Sequence, residues 1–165
     1  MKINQISTNG YAVLDVFDND TLIKLIKITE SFIPDKIRPE VRHVKFLSDT
    51  HINGLLQETF KDLVKNTQLG VVELWRDYPG YTNTYHVDDP MLNHVLLVYL
   101  DGHGQSDMGT GYIEDKEYKV NYEKNTGLFL LNSNQIRHGM VGSVHDIEYR
   151  KVLYANWVTN KSPSR

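Results

Sequence analysis

The chain has 165 residues, 40 % of them apolar and 24 % charged, with a formal net charge of −3 and no cysteine. That length suffices for one domain with its own core, and the balance is that of an ordinary globular protein. Without cysteine there can be no disulfide, thiolate zinc site, iron–sulfur cluster or thiol nucleophile, so any metal must be held by His, Asp, Glu or backbone oxygen. The acidic balance argues against a protein that coats nucleic acid. No apolar run is long enough for a signal peptide or a membrane span, which predicts a cytoplasmic location and no membrane partner.

In chain order, residues 11–17 form a short, mostly apolar strand candidate. Asp18, Asn19 and Asp20 then offer N-cap chemistry. Leu22, Leu25, Ile26 and Phe32 follow at close to helical spacing, which predicts a helix with one buried face. A second helix is expected from Ser48 or Asp49, with Ile52, Leu55, Leu56, Phe60 and Leu63 as its apolar stripe. From Leu69 the period changes. Strand-like runs at 71–78, 82–89, 94–102, 110–115, 116–123, 127–133, 137–142 and 148–158 are punctuated by Gly, Asn and Asp, and no useful helix fits after Asn66. Only the tail from Asn160 to Arg165 reads as frayed. The expectation is an α+β, mainly β, single domain over residues 1–165: a helical support region (1–68) packed outside a double-layered β core (69–158).

The first chemically suggestive segment is Tyr85-His86-Val87-Asp88. Side chains alternate along a strand, so His86 and Asp88 point the same way and can reach one cation. His138, in a late strand candidate, is the expected third ligand. Two His and one carboxylate cover one face of an octahedral iron and leave the other face open, although the same donors also suit zinc. Asp101-Gly102-His103 has the reverse spacing, but its glycines predict a turn. Asp89 faces away from Asp88 and starts an Asp-Pro turn. His43, His51, His94 and His145 have no companion at ligand spacing.

The last strand candidate, residues 148–158, places Arg150, Val152, Tyr154 and Asn156 on one face. An Arg aimed into a β core is costly unless it meets an anion. It is either an exposed strand end paired with Glu148 or Asp146, or a fork that grips a ligand carboxylate. Lys151 faces the other way.

Taken in order, these pieces resemble a known family. Trp75-Arg76-Asp77-Tyr78-Pro79-Gly80, Tyr85-His86-Val87-Asp88-Asp89-Pro90, Val98-Tyr99-Leu100-Asp101, Gly109-Thr110-Gly111, Arg137-His138-Gly139 and the strand opening with Arg150 are similar to the core of prolyl-4-hydroxylase-type 2-oxoglutarate/iron(II) dioxygenases. The resemblance spans residues 71–158, roughly half the chain, and the ordered set is far more specific than any single piece.

The resemblance implies a double-stranded β-helix (jelly-roll or cupin-like) with helices on one side, and iron(II) held by His86, Asp88 and His138. It implies 2-oxoglutarate as co-substrate, its far carboxylate on Arg150, with Tyr99 and Tyr78 helping to hold it. The implied reaction uses O2 to hydroxylate a substrate while 2-oxoglutarate is decarboxylated to succinate, with peptidyl proline or a free amino acid as the leading substrate. Arg76, Asn83, Tyr85, Tyr154, Asn156 and Trp157 are the expected pocket-lining groups. The interval from His138 to Arg150 is longer than in the family. It predicts a loop over residues 142–147; a strand there would displace Arg150 and let Lys151 compete for its role. Two other readings are a β-helix binding module without catalysis, and a dioxygenase acting on nucleic acid; the lack of basic clusters argues against the latter.

Overall fold

The computed structural model describes residues 1–39 and 41–159, so the expected frayed tail lies outside the described residues. Two antiparallel sheets face each other. The larger has eight strands in the order β1-β2-β9-β6-β11-β5-β4-β3. Its members are β1 (Lys2–Gln5), β2 (Gly10–Leu14), β3 (Lys36–Arg38), β4 (Arg42–Phe46), β5 (Thr67–Asp77), β6 (Leu92–Tyr99), β9 (Thr126–Leu131) and β11 (Arg150–Thr159). The smaller sheet is β10 (Arg137–Met140), β7 (His103–Ile113) and β8 (Glu117–Glu123), in the order β10-β7-β8. A single bridge between His86 and His138 adds the segment around His86 beyond β10. This is the expected double-layered, jelly-roll-like β core.

Helix α1 (Asn19–Ser31) is capped by Asp18, whose side chain accepts from the Thr21 N–H at 2.7 Å. Helix α2 (Thr50–Phe60) is capped by Asp49, which accepts from His51 and Ile52. Each cap satisfies helix N–H groups that have no partner within the helix. Leu22 and Leu25 of α1, with Ile52, Leu56 and Phe60 of α2, are buried on the outer face of the large sheet. There they meet Leu74, Leu96, Val98, Phe129, Leu153, Ala155 and Trp157. No helix among the described residues is long and apolar enough to cross a membrane.

Alternation along the strands sorts side chains into two cores. On β11, Leu153, Ala155 and Trp157 face the helices, whereas Val152 packs between the sheets with Trp75, Tyr81, Tyr99, Met108, Tyr122, Met140 and Val144. The first 68 residues supply more than helical support, because β1 to β4 complete both edges of the large sheet. The β3–β4 hairpin had no signal in the apolar pattern: its five-residue strand β4 reads Arg-His-Val-Lys-Phe, and only Arg42 and Val44 are buried. This hairpin brings Arg38 and Arg42 to the cavity between the sheets.

Candidate metal centre and its cavity

His86 and Asp88 do not lie on a regular strand as expected. The segment is irregular, held to β10 by two backbone hydrogen bonds between His86 and His138 (2.9 and 2.8 Å) and to the turn before β10 by Asp88 N donating to Ser133 O at 3.2 Å. The alternation survives nonetheless: Val87 points to solvent, and His86 and Asp88 turn to the same side as His138. The approach of the two chains requires a glycine after His138, since a Cβ on Gly139 would come within 2.7 Å of Asn83 O and 2.9 Å of the Tyr85 nitrogen.

The three side chains present ligand atoms that all lie within 4.8 Å of one another. His86 Nε2 is 3.7 Å from Asp88 Oδ1, and His138 Nε2 is 3.5 Å from Asp88 Oδ2. Each imidazole turns its Nδ1 to a carbonyl two residues back, His86 to Thr84 O and His138 to Ile136 O, both at 2.9 Å. With Nδ1 as the donor, Nε2 carries a free lone pair aimed at the shared space. Burial lowers the His138 pKa, but Asp88 and the Ile136 carbonyl more than offset this, so the imidazole binds its proton more tightly than usual. Asp88 Oδ2 is buried and has no hydrogen-bond partner. A buried carboxylate oxygen is costly without a donor or a cation. Two imidazole lone pairs and this oxygen around one point fit a divalent cation, and the absence of sulfur suits iron.

Beside the ligands lies a cavity of about 290 Å³. Its walls include Arg150, Thr110, Arg42, Tyr81, Trp75 and Glu73. Arg150 is buried, not an exposed strand end, and the anion it meets is neither Glu148 nor Asp146 but Asp77, which accepts from Nη2 at 2.7 Å and Nε at 3.1 Å. Arg150 Nη1 donates to Met108 O at 2.6 Å. Burial pushes the Asp77 carboxyl up, but Arg42 and Arg150 on either side hold it below the usual carboxylate range. Residues 141–149 contain no strand, so Arg150 is not displaced. Lys151 pairs instead with Asp101 at 2.6 Å and does not line the cavity.

The other expected site residues divide. Tyr99 is fully buried behind the wall, and its hydroxyl is 2.5 Å from that of Thr110, which does line the cavity. Tyr78 is not in the wall. It packs edge-on against His43 at 4.7 Å and beside Tyr149 at 5.4 Å, and Tyr81 occupies the wall in its place, its phenol pushed up to about 12 by burial. Asn83, Tyr154 and Asn156 line the cavity as expected.

Arg76 and Trp157 do not, because both belong to the opposite face of the large sheet. Arg76 donates to Phe32 O at 2.7 Å and lies over the Phe32 ring; Trp157 is in the helix-side core with Phe60 and Phe129. Tyr85 is also outside the wall, donating to Glu117 at 2.7 Å. Asn156 fills an irregularity in the β11–β5 pairing between Ala155 and Trp157: its Oδ1 accepts from Val71 N at 3.2 Å, next to Gly70, where a Cβ would come within 2.2 Å of that oxygen. The residues that sequence reasoning missed are Arg38, Arg42, Glu73, Trp75, Asp77 and Tyr81. The signal for three of them was the alternation of β5, where Glu73, Trp75 and Asp77 share one face and Arg76 the other.

No protein-family model matches the chain, and no curated protein matches it by sequence. Solved structures do match by fold. A prolyl hydroxylase from Trichoplax adhaerens, in complex with a hypoxia inducible factor oxygen degradation domain peptide fragment, superposes with a TM-score of 0.73 at 8 % identity over 92 % of this chain and 84 % of that one. HygX from Streptomyces hygroscopicus, with nickel and 2-oxoglutarate bound, gives 0.73 at 12 % identity over 93 % and 84 %. The viral collagen prolyl hydroxylase of Paramecium Bursaria Chlorella virus-1 gives 0.66 at 14 % identity over 94 % and 98 %. The chain thus has the double-stranded β-helix fold of the prolyl-hydroxylase-like 2-oxoglutarate/iron(II) oxygenases.

Proposed function

We propose that this protein is an iron(II)- and 2-oxoglutarate-dependent dioxygenase that hydroxylates an organic substrate. The observation that carries the reading is the unpartnered, buried Asp88 Oδ2 facing two imidazole Nε2 atoms beside an arginine-lined cavity. His86, Asp88 and His138 would hold the iron, and Arg150 with Thr110 would hold the far carboxylate of 2-oxoglutarate. Iron, 2-oxoglutarate and O2 together supply the oxidising chemistry, with succinate as the by-product.

The chain's own residues position and exclude. The backbone carbonyls of Thr84 and Ile136 hold the imidazoles in the ligating tautomer. Tyr99 orients the Thr110 hydroxyl. The aromatic walls of Trp75, Tyr81 and Tyr154 keep the inner cavity apolar around its charged groups. His86, whose side chain is 41 % exposed, stands at the open side, and Asn83, Tyr154 and Asn156 are the groups that would meet a substrate there. Peptidyl proline or a free amino acid is the leading substrate. The peptide complex of one fold neighbour supports the first, but another neighbour holds hygromycin B, so fold alone does not choose.

The test is anaerobic loading with iron(II) and 2-oxoglutarate. A weak metal-to-ligand charge-transfer absorption should appear, followed by succinate on admitting oxygen. Absence of succinate with every iron-loaded preparation overturns the enzyme reading. Peptide and amino-acid pools, screened for the mass gain of one oxygen atom, then identify the substrate.

A further inference from the structure

Asp77, Arg42 and Arg150 form one row across three strands. Asp77 on β5 is the cross-strand partner of Arg42 on β4 and of Arg150 on β11. Arg42 donates to Asp77 Oδ1 through Nε and to Oδ2 through Nη2 at 2.9 Å, while Arg150 takes Oδ2 from the other side. Both guanidinium groups line the cavity; the Asp77 carboxylate sits behind them, fully buried.

This changes the charge that an incoming carboxylate meets. Arg150 and Asp77 cancel, and a carboxylate beside a neutral pair gives up its hydration for little Coulombic return. Arg42 restores one positive charge. Its guanidinium lies over the Trp75 ring at 3.5 Å and the Tyr81 ring at 4.2 Å, faces that bury it without offering it a second anion. Of its five N–H donors, two are spent on Asp77.

We propose that Arg42, Asp77 and Arg150 act as one cradle of net charge +1, in which Arg42 supplies the charge that selects a 2-oxo dicarboxylic acid over a 2-oxo monocarboxylic acid. This rests on the reading of the cavity as a 2-oxoglutarate site. Asp77 is a positioning residue that aligns both guanidinium groups, and Arg42 is a ligand-binding residue contributed by the N-terminal hairpin.

The experiment is calorimetric binding of 2-oxoglutarate and of 2-oxopentanoate, which carries a methyl in place of the far carboxylate, to the iron(II)-loaded protein under anaerobic conditions. Wild type should prefer 2-oxoglutarate. Arg42→Met should reduce that preference roughly 10- to 100-fold, the scale of a lost charged hydrogen bond. The double variant Arg42→Met/Asp77→Asn has net charge +1 again and should recover most of the preference, which a purely structural role for Arg42 does not predict. An Arg42→Met protein that discriminates like wild type, or a double variant that stays at the single-variant level, overturns the cradle. Should Arg42→Met not fold, the double variant decides on the same terms: discrimination supports the cradle and its absence overturns it. Failure of the wild type to bind 2-oxoglutarate at all overturns the co-substrate reading itself and is thereby distinguishable from failure of the cradle alone.

Discussion

Asp88 and Asp77 show how burial gives the same side chain two meanings. Both are carboxylates in or behind one cavity wall, but Asp77 is neutralised by two guanidinium groups, and Asp88 leaves one oxygen with no partner. Replacing Asp77 with Ala removes the only anion between Arg42 and Arg150. It should cost about 3–5 kcal/mol, the penalty for a broken buried pair, read from denaturant unfolding. Asp88→Ala should leave the fold intact and abolish iron binding, read by metal content after desalting. His138 adds a pH signature. Its folded-state pKa is raised by Asp88, so its contribution to the metal-free protein is complete below the unfolded imidazole value and is lost as pH rises through the folded one. The thermal midpoint of the metal-free protein should decline over that interval, while iron affinity rises, since the metal competes with the proton for Nε2. His86, Asp88, His138 and Arg150 were legible in the sequence because each is a costly group at a spacing that alternation could interpret. Asp77 was in plain view, but its partner Arg42 lies 35 residues away in a hairpin with no chemical motif.

At the scale of the element, the question is which face of each strand looks inward. Arg150, Tyr154 and Asn156 were placed correctly by alternation along β11, whereas Arg76 and Trp157 are on the helix side. The reason is that both faces of the large sheet are covered, so hydrophobicity does not distinguish the cavity from the helix layer. Trp157→Ala therefore tests the corrected placement. It removes a side chain packed on Phe60 and Phe129 at 5.6 and 5.5 Å between ring centroids, and should cost about 3–5 kcal/mol of stability. Substrate preference should be unchanged in whatever fraction remains folded. Asp49→Ala removes the α2 cap and should cost about 1 kcal/mol, seen as a small drop in the urea midpoint. The helices were legible because caps and apolar stripe agreed. Strands β3 and β4 were not, since short, charge-rich strands at and next to the sheet edge carry little apolar pattern.

For the molecule as a whole, the candidate metal cluster joins an irregular segment, which carries His86 and Asp88, to β10 of the small sheet, which carries His138. A cation there would cross-link the chain at positions 86, 88 and 138, and would stabilise the fold by binding the native state in preference to the unfolded chain. At a hundredfold excess of metal over its dissociation constant, linkage predicts about 2.7 kcal/mol of added stability. For a chain of this length that is a rise in thermal midpoint of about 5–11 °C, reversed by a chelator. Differential scanning fluorimetry with and without iron(II) under nitrogen measures it. The Asp88→Ala protein should show no such rise.

The sequence by itself determined the fold class, the two capped helices, the clustering of His86, Asp88 and His138 and the inward Arg of the last strand. Each of these follows from local rules: cap chemistry, periods of 3.6 and 2, and the cost of burying charge. Only the tertiary structure decided that Tyr81 rather than Tyr78 faces the cavity, that Tyr99 lies behind the wall against the Thr110 hydroxyl, and that Arg42 joins Asp77 and Arg150 in one row. Those facts depend on strand register and on which face of a doubly covered sheet is the inner one. Both are set by pairings between residues far apart in the chain, and no local pattern encodes them.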